Sequence, residues 1–343
     1  MGHHDFQHLI RSNKRKTIFL LVAFCCLVPL VAAILVPLVV MFMAGGIWLR
    51  FIPDLRPIDM AKIIAAGAAI FSWIYCALMY ANADRVVLRS VGAKRIRHDQ
   101  DPELFNCVEE IAIAAGVPPP RVYRIDDPAA NAMATGRDPK HGSIVVTTGL
   151  RKILSRDELQ SVVAHEMSHI RNYDTRLMLA TAVFVGAVEG VCNSCEIWLG
   201  RLTPEWDPRQ PWGCVIYLAV VIVIISMTVF WLGPWTVLGI MLAIAVMLAL
   251  APVSAHVIQF GLSRQREYLA DACAVELARN PRALASALFK IDHDRYRLRA
   301  VSGATAHMFI ANPLTRFSRL GHTVFASHPP LKERIRRLAL MSP

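Results

Sequence analysis

The chain has 343 residues, 55% of them hydrophobic, and a formal net charge of +11; its mean hydropathy of +0.42 is high for a soluble protein. That length allows two ordinary domains and excludes a small disulfide-framed module, while the apolar excess excludes a wholly soluble chain. No nucleic-acid-binding motif accompanies the basic charge, so no nucleic-acid partner is expected, and the charge reads as membrane-flanking with attraction for anionic lipid.

Arg11, Lys14, Arg15 and Lys16 precede an almost wholly apolar run at 17–49, and a second run at 58–81 carries one lysine near its start. Each is long enough to cross a hydrocarbon core of about 30 Å. The first is too long for a signal-peptide core and lacks a clear cleavage pattern, so it reads as an uncleaved anchor. The start of the chain also lacks the Ser or Thr at position 6 that myristoylation requires. Arg85, Arg89, Lys94, Arg95 and Arg97 follow the second run. By the positive-inside rule both flanks are cytoplasmic and the short connection at 50–57 is outside. Of the eight cysteines, Cys25, Cys26, Cys76 and Cys214 fall in apolar runs, and Cys107 and Cys273 fall in expected cytoplasmic helices where thiols stay reduced. Cys192 and Cys195 form a lone C-x-x-C pair with no second pair or thioredoxin context.

Asp101-Pro102 opens a helix that runs to about Ala115 and stops at Gly116, with prolines at 118–120. Three short extended pieces follow at 121–125, 130–135 and 143–148. Asn131 to Gly136 is polar enough at its ends for an edge strand, which beside a protease site could take up a peptide by strand addition. An ordinary hairpin strand is the plain alternative.

The sheet leads into a helix at 155–173 with a well-marked start. Ser155 and Glu158 have the spacing of a capping box, and Leu154 and Leu159 that of a hydrophobic staple. Leu159, Val162, Val163 and Ile170 recur at helical spacing. His165 and His169 are i and i+4, so both imidazoles project from one side and can grip one zinc ion. Glu166 sits beside them, where a water to be activated would lie. Two surface histidines on an ordinary helix are the plain alternative.

A run at 176–199 is apolar in its first half but carries Glu189, Asn193 and Glu196, and a second run at 214–260 is interrupted by Gly233-Pro234. If one ion joins the helix at 155–173 to residues beyond 260, the chain between crosses the membrane an even number of times. A catalytic zinc needs a third protein ligand and an open position. Glu267 is the candidate, with Asp271 one turn later able to hold a zinc histidine in its tautomer. A surface pair between Glu267 and Arg264 or Arg266 is the alternative. A helix at 281–292 and a looser stretch at 301–325 follow. The last helix begins near Pro330 and carries Glu333, Arg334, Arg336 and Arg337. A His or Arg near the metal, His328 or Arg334, could stabilise an oxyanion, against a capping or packing role for His328.

The segments AHEMSHIRNYD (164–174), SRQREYLADA (263–272), NAMATG (131–136), IANPL (310–314) and ASHPPLKERIRRL (326–338) make the chain resemble the HtpX-type heat-shock membrane zinc metalloproteases, relatives of the CAAX prenyl proteases. With two N-terminal spans the resemblance covers most of the chain, although 204–234 has no clear counterpart. It implies one Zn2+ per chain on His165, His169 and Glu267, with Glu166 as the catalytic carboxylate and Asp271 behind the ligands. It also points to Asn131, Ala132, Met133, His328 and Arg334 as substrate or oxyanion contacts.

The implied fold is mainly α and integral to the membrane: about four transmembrane helices plus a cytoplasmic zincin-like (gluzincin) α+β protease domain with a small β-sheet. In chain order that is a basic cytoplasmic N-terminus (1–16), two transmembrane helices (17–81), a protease part with the zinc helix (82–175), a second membrane region (176–260) and a C-terminal protease part (261–343). The implied activity is endoproteolysis of misfolded or damaged membrane proteins at the cytoplasmic face of a bacterial-type inner membrane, as stress-response quality control. The implied partners are protein or peptide substrates and the bilayer. One rival reading is a CAAX-type processing protease; another is a non-enzymatic scaffold with a structural zinc, which has no use for a carboxylate at Glu166.

Overall fold

The computed structural model describes residues 57–183, 185–186, 264–311 (apart from 297, 300 and 301) and 329–341, with a few isolated positions besides. The expected span at 17–49, the run at 187–260, the Cys192–Cys195 pair and His328 lie outside the described residues. The chain divides into two compact units, one of Met1–Leu21, Tyr80–Gly186 and Ala255–Pro343 and the other of Val22–Met79 and Ala187–Ser254.

In the second unit the apolar run at 58–81 is helical: α1 spans Pro57–Ala81, 25 residues, about 37 Å at 1.5 Å per residue. Its Ile63, Ile70, Phe71, Trp73, Ile74 and Leu78 are all exposed. Among the described residues no single helix is both long and apolar enough to cross a membrane.

The first unit holds the sheet and the remaining described helices. Helix α2 (Ala83–Ser90) buries Ala83, Val87 and Leu88, and strand β1 (Lys94–Arg95) follows. Helix α3 (Pro102–Ala115) begins where expected: the Asp101 carboxylate accepts from the Leu104 N–H, and Pro102 needs no partner for its nitrogen. It ends on Gly116 at φ 67°, a left-handed position that glycine adopts without strain.

Strands β2 (Arg121–Ile125), β3 (Ala132–Thr135) and β4 (Ser143–Thr147) join β1 in a mixed sheet of order β1-β2-β4-β3. β2 runs parallel to β4, with Arg121 opposite Ser143. β3 runs antiparallel to β4, with Ala132 opposite Val146. Every residue of β3 and β4 is buried, so these strands are apolar and small rather than alternating. Helix α4 (Thr148–Ile153) leaves β4 directly, capped by the Thr147 hydroxyl. A Cβ on Gly149 would run into the Pro128 carbonyl, so only glycine lets α4 pass the turn before β3.

Helix α5 (Arg156–Arg171) carries the expected capping box: Ser155 Oγ accepts from Glu158 N–H and the Glu158 carboxylate accepts from Ser155 N–H. Glu158 also binds forward to helix α7 (Pro281–His293), accepting from Ser286 Oγ at 2.6 Å and Lys290 Nζ at 2.7 Å. Burial tends to raise its pKa, but these bonds outweigh that and hold it below the usual carboxylate range. Leu159, Val162, Val163, Met167 and Ile170 on α5 are fully buried, each worth about 1.5–3 kcal/mol. They pack α5 against β3, β4, α3, α7 and helix α6 (Arg264–Ala278). After the short α8 (Gly303–Ala306), helix α9 (Leu331–Leu340) lies on α7 and α6, with the Arg337 guanidinium 3.7 Å from the Tyr268 ring centroid.

The edge strand differs from the open one expected. β3 stands last in the sheet order, but its outer side meets Phe309 in an isolated antiparallel bridge to Met133. Ile310 N–H donates to the Ala132 carbonyl at 2.9 Å. The Asn131 side chain mimics a further backbone pair, donating to Ala311 O at 2.8 Å and accepting from Ala311 N–H at 3.3 Å. Met308, Phe309, Ile310 and Ala311 are all buried, so the apolar cluster anchors this segment onto β3.

Candidate metal centre

One turn of α5 places His165 and His169 side by side, Nε2 to Nε2 at 3.3 Å, with the rings edge to face. Helix α6 lies against α5 and brings Glu267 to both: Oε2 is 3.7 Å from His165 Nε2, and Oε1 is 3.7 Å from His169 Nε2. All three residues are buried, and their ligating atoms form a group able to hold one metal ion. Ligands on a tetrahedral ion at about 2.0–2.1 Å sit about 3.3 Å apart, close to these separations. Glu166 is buried next to His165.

Behind each histidine stands a carboxylate. Asp271, one turn after Glu267, puts Oδ1 at 3.1 Å from His165 Nδ1. Asp174 puts Oδ2 at 3.1 Å from His169 Nδ1. Each bond uses the nitrogen facing away from the ligand cluster and leaves Nε2 as the ligand, the arrangement that fixes a metal histidine's tautomer. Asp271 is in turn gripped by Arg334, whose Nε donates to Oδ2 at 2.9 Å and whose Nη2 donates to Oδ1 at 2.6 Å. The same guanidinium donates from Nη1 to the Ile310 carbonyl at 3.3 Å and lies 3.3 Å from Glu267 Oε2.

Charge supports a dication here. Among the described residues the centre buries Glu166, Asp174, Glu267 and Asp271 against Arg266 and Arg334. With both imidazoles neutral, two negative charges remain, and a divalent ion cancels them. Burial pushes His165 down from 6.5 to about 4, and the Arg334 charge acts in the same direction. Burial also opposes charge on His169, but its bond to Asp174 and the charges of Glu267 and Glu166 outweigh it and raise the ring to about 9. Asp271 is held below the usual carboxylate range: burial raises it, and Arg334 and His165 more than reverse that. Cys107 and Cys273 are free and buried, and burial pushes both thiols up to about 11, so neither offers a thiolate.

With this geometry in hand, the comparisons with known proteins decide the family. The profile of peptidase family M48 matches residues 98–342. The chain belongs to that family, among its HtpX-type proteases. It is 41% identical over 273 residues to the protease HtpX homolog of Caldanaerobacter subterraneus subsp. tengcongensis, covering 79% of this chain and 82% of that one. It is 36% identical over 331 residues to the protease HtpX homolog of Streptococcus mutans serotype c, covering 96% and 97%. Among solved structures, Ste24p of S. mikatae shows a loose likeness at 17% identity and a TM-score of 0.42, covering 96% of this chain and 66% of that one. As an M48 peptidase the chain acts on protein or peptide substrates.

The fold brings together His165, Glu166, His169, Glu267, Asp271 and Arg334 in this M48 centre. Arg334, expected as a substrate or oxyanion contact, is fully buried with its donors committed to Asp271 and Ile310. Asn131, Ala132 and Met133 engage the 309–311 segment instead of presenting an open edge. Sequence reasoning missed Asp174, although it stands five residues beyond His169. Its signal lies in the backbone: Tyr173 adopts φ 61°, which breaks the helix and turns the next side chain back onto His169. It also read Arg266 as half of a surface pair, whereas that side chain is 3% exposed.

Proposed function

We propose that this chain is a zinc-dependent endopeptidase of gluzincin type, embedded in a bacterial-type inner membrane. It cleaves misfolded or damaged membrane proteins at the cytoplasmic face. In this reading 17–49 and 58–81 span the bilayer, the chain between α5 and α6 adds an even number of crossings, and residues 82–175 and 261–343 supply one cytoplasmic catalytic domain. The observation that carries the proposal is the triad of His165, His169 and Glu267 with ligating atoms 3.3–3.7 Å apart, beside a buried Glu166 that is not part of it.

His165, His169 and Glu267 would hold zinc, which when bound polarises a peptide carbonyl and acidifies water. Glu166 takes the proton from the attacking water and delivers it to the leaving amine, giving two peptides without a covalent enzyme intermediate. Asp271 and Asp174 keep both rings in the Nδ1–H tautomer. Arg334 holds Asp271 and neutralises charge next to Glu267.

The test is Glu166→Gln in the full chain, purified in detergent. Zinc content should stay at one ion per chain while casein cleavage falls by about 10²–10⁴. Undiminished cleavage would remove Glu166 from the mechanism, and a wild-type protein that takes up no zinc would remove the reading altogether.

A further inference from the structure

The two histidines have matching surroundings up to their carboxylates, and on one side the arrangement continues to an arginine. His165 leads to Asp271 at 3.1 Å and Asp271 to Arg334 at 2.6 Å. On the other side His169 leads to Asp174 at 3.1 Å, with Asp174 fully buried. Arg266, next to Glu267 on α6, is 3% exposed, and Nε, Nη1 and Nη2 are all shielded from solvent without a hydrogen-bond partner among the described residues. Burying five N–H donors unbonded is costly, so its charge is what the site uses. Burial works against that charge, and Asp174 first and Glu267 second are the groups that sustain it.

We propose that Arg266 is a positioning residue for the metal centre, acting by its charge on Asp174 and through Asp174 on His169, as Arg334 acts through Asp271 on His165. The inference rests on the zinc reading above. Two further features support it. Tyr173 holds a left-handed backbone, strained for a side chain of that size, at the step that turns Asp174 onto His169. Such strain persists only where the surrounding contacts fix the geometry. The guanidinium nitrogens of Arg266 are also sealed from solvent, so a bound peptide has no direct access to them, and the route to the ion runs through Asp174.

The two arginines then differ in a testable way. Arg334 uses its fork, with two bonds to Asp271 and one to Ile310, which an ammonium cannot reproduce. Arg266 uses charge alone, which an ammonium can supply. Zinc affinity of the full chain in detergent, measured by competition with a chelator, reads this directly. Arg266→Met should weaken zinc by about 10- to 100-fold, and Arg266→Lys should restore it to within about threefold of wild type. Arg334→Lys should not be restored. In an Asp174→Asn background Arg266→Met should cost nothing, because the charge it answers is gone.

Equal losses with and without Asp174, no loss in Arg266→Met, or a change confined to KM for peptide each overturn the proposal. If Arg266→Met alone does not fold, the double variant with Asp174→Asn should fold, since both buried charges leave together, and its failure to do so also counts against the proposal. Wild-type protein that binds no zinc would instead reject the zinc reading and leave this comparison without a metal to position.

Discussion

His165 and His169 are the same residue one turn apart on one helix, both buried, each bonded through Nδ1 to an aspartate at 3.1 Å. Yet one ring is pushed down to about 4 and the other up to about 9. Burial acts on both in the same direction. The difference is how far the aspartate is already neutralised: Asp271 is locked to Arg334, whose charge repels an imidazolium at His165, whereas Asp174 has no guanidinium bonded to it. A carboxylate already neutralised by arginine orients a histidine without charging it, and one left partly free also holds a proton there. In the metal-free centre a protonated His169 thus supplies part of the positive charge that the ion later brings, and ion uptake displaces that proton.

Removing Arg334 should break this comparison most strongly. Arg334→Met strands Asp271 and Glu267 as buried charges and should cost about 3–5 kcal/mol of metal-free stability, read by denaturant unfolding with chelator present. It should also lift the His165 pKa toward that of His169, visible in imidazole NMR titrations. A loss below about 1 kcal/mol, or an unmoved His165, would show that burial alone sets that ring.

A smaller effect separates the two histidines by pH. His165 has a folded value depressed to about 4 from 6.5, so it withdraws stability as pH falls below 6.5 and the unfolded ring takes a proton that the folded one refuses. His169 has a folded value raised to about 9, so its contribution is fully present below 6.5 and lost as pH rises through 9. Melting of chelator-treated protein should therefore weaken on both limbs. Asp174→Asn should flatten the alkaline limb and spare the acid one; an alkaline limb unchanged by that substitution would assign it elsewhere.

The smallest effect concerns Tyr173. Its left-handed backbone costs about 1–2 kcal/mol, while glycine adds unfolded-state freedom worth about 0.5–1 kcal/mol. Tyr173→Gly should therefore raise metal-free stability by roughly 0.5 kcal/mol and leave zinc affinity unchanged. A marked loss of zinc affinity would mean that the tyrosine side chain, and not the turn alone, positions Asp174.

What could be read from the chain was what depends on neighbours a few residues away. Asp101, Gly116, Ser155 and Glu158 announce helix ends because caps are local hydrogen bonds. The spacing of His165 and His169 on a helix likewise puts both rings on one face whatever surrounds them. Glu267 and Asp271 belong to the same kind of signal, one turn apart on a second helix. Asp174 escaped because in a continuing helix it would point elsewhere; only the turn at Tyr173 redirects it. Arg266 and Arg334 escaped because an arginine in a basic segment reads as a solvated charge, and only α6 and α9 packing onto α5 and its neighbours bury them.

The sequence by itself therefore determined the helices, their caps, the small sheet, two histidines on one face and the carboxylate between them, since each follows from backbone periodicity and local bonding. Tertiary structure decided that α6 meets α5 so that Glu267 reaches both imidazoles, that Phe309 and Ile310 cover the outer edge of β3, and that two arginines lie buried behind the metal ligands. Those outcomes turn on which apolar faces pack together and which buried charges then face one another, and no local spacing records either.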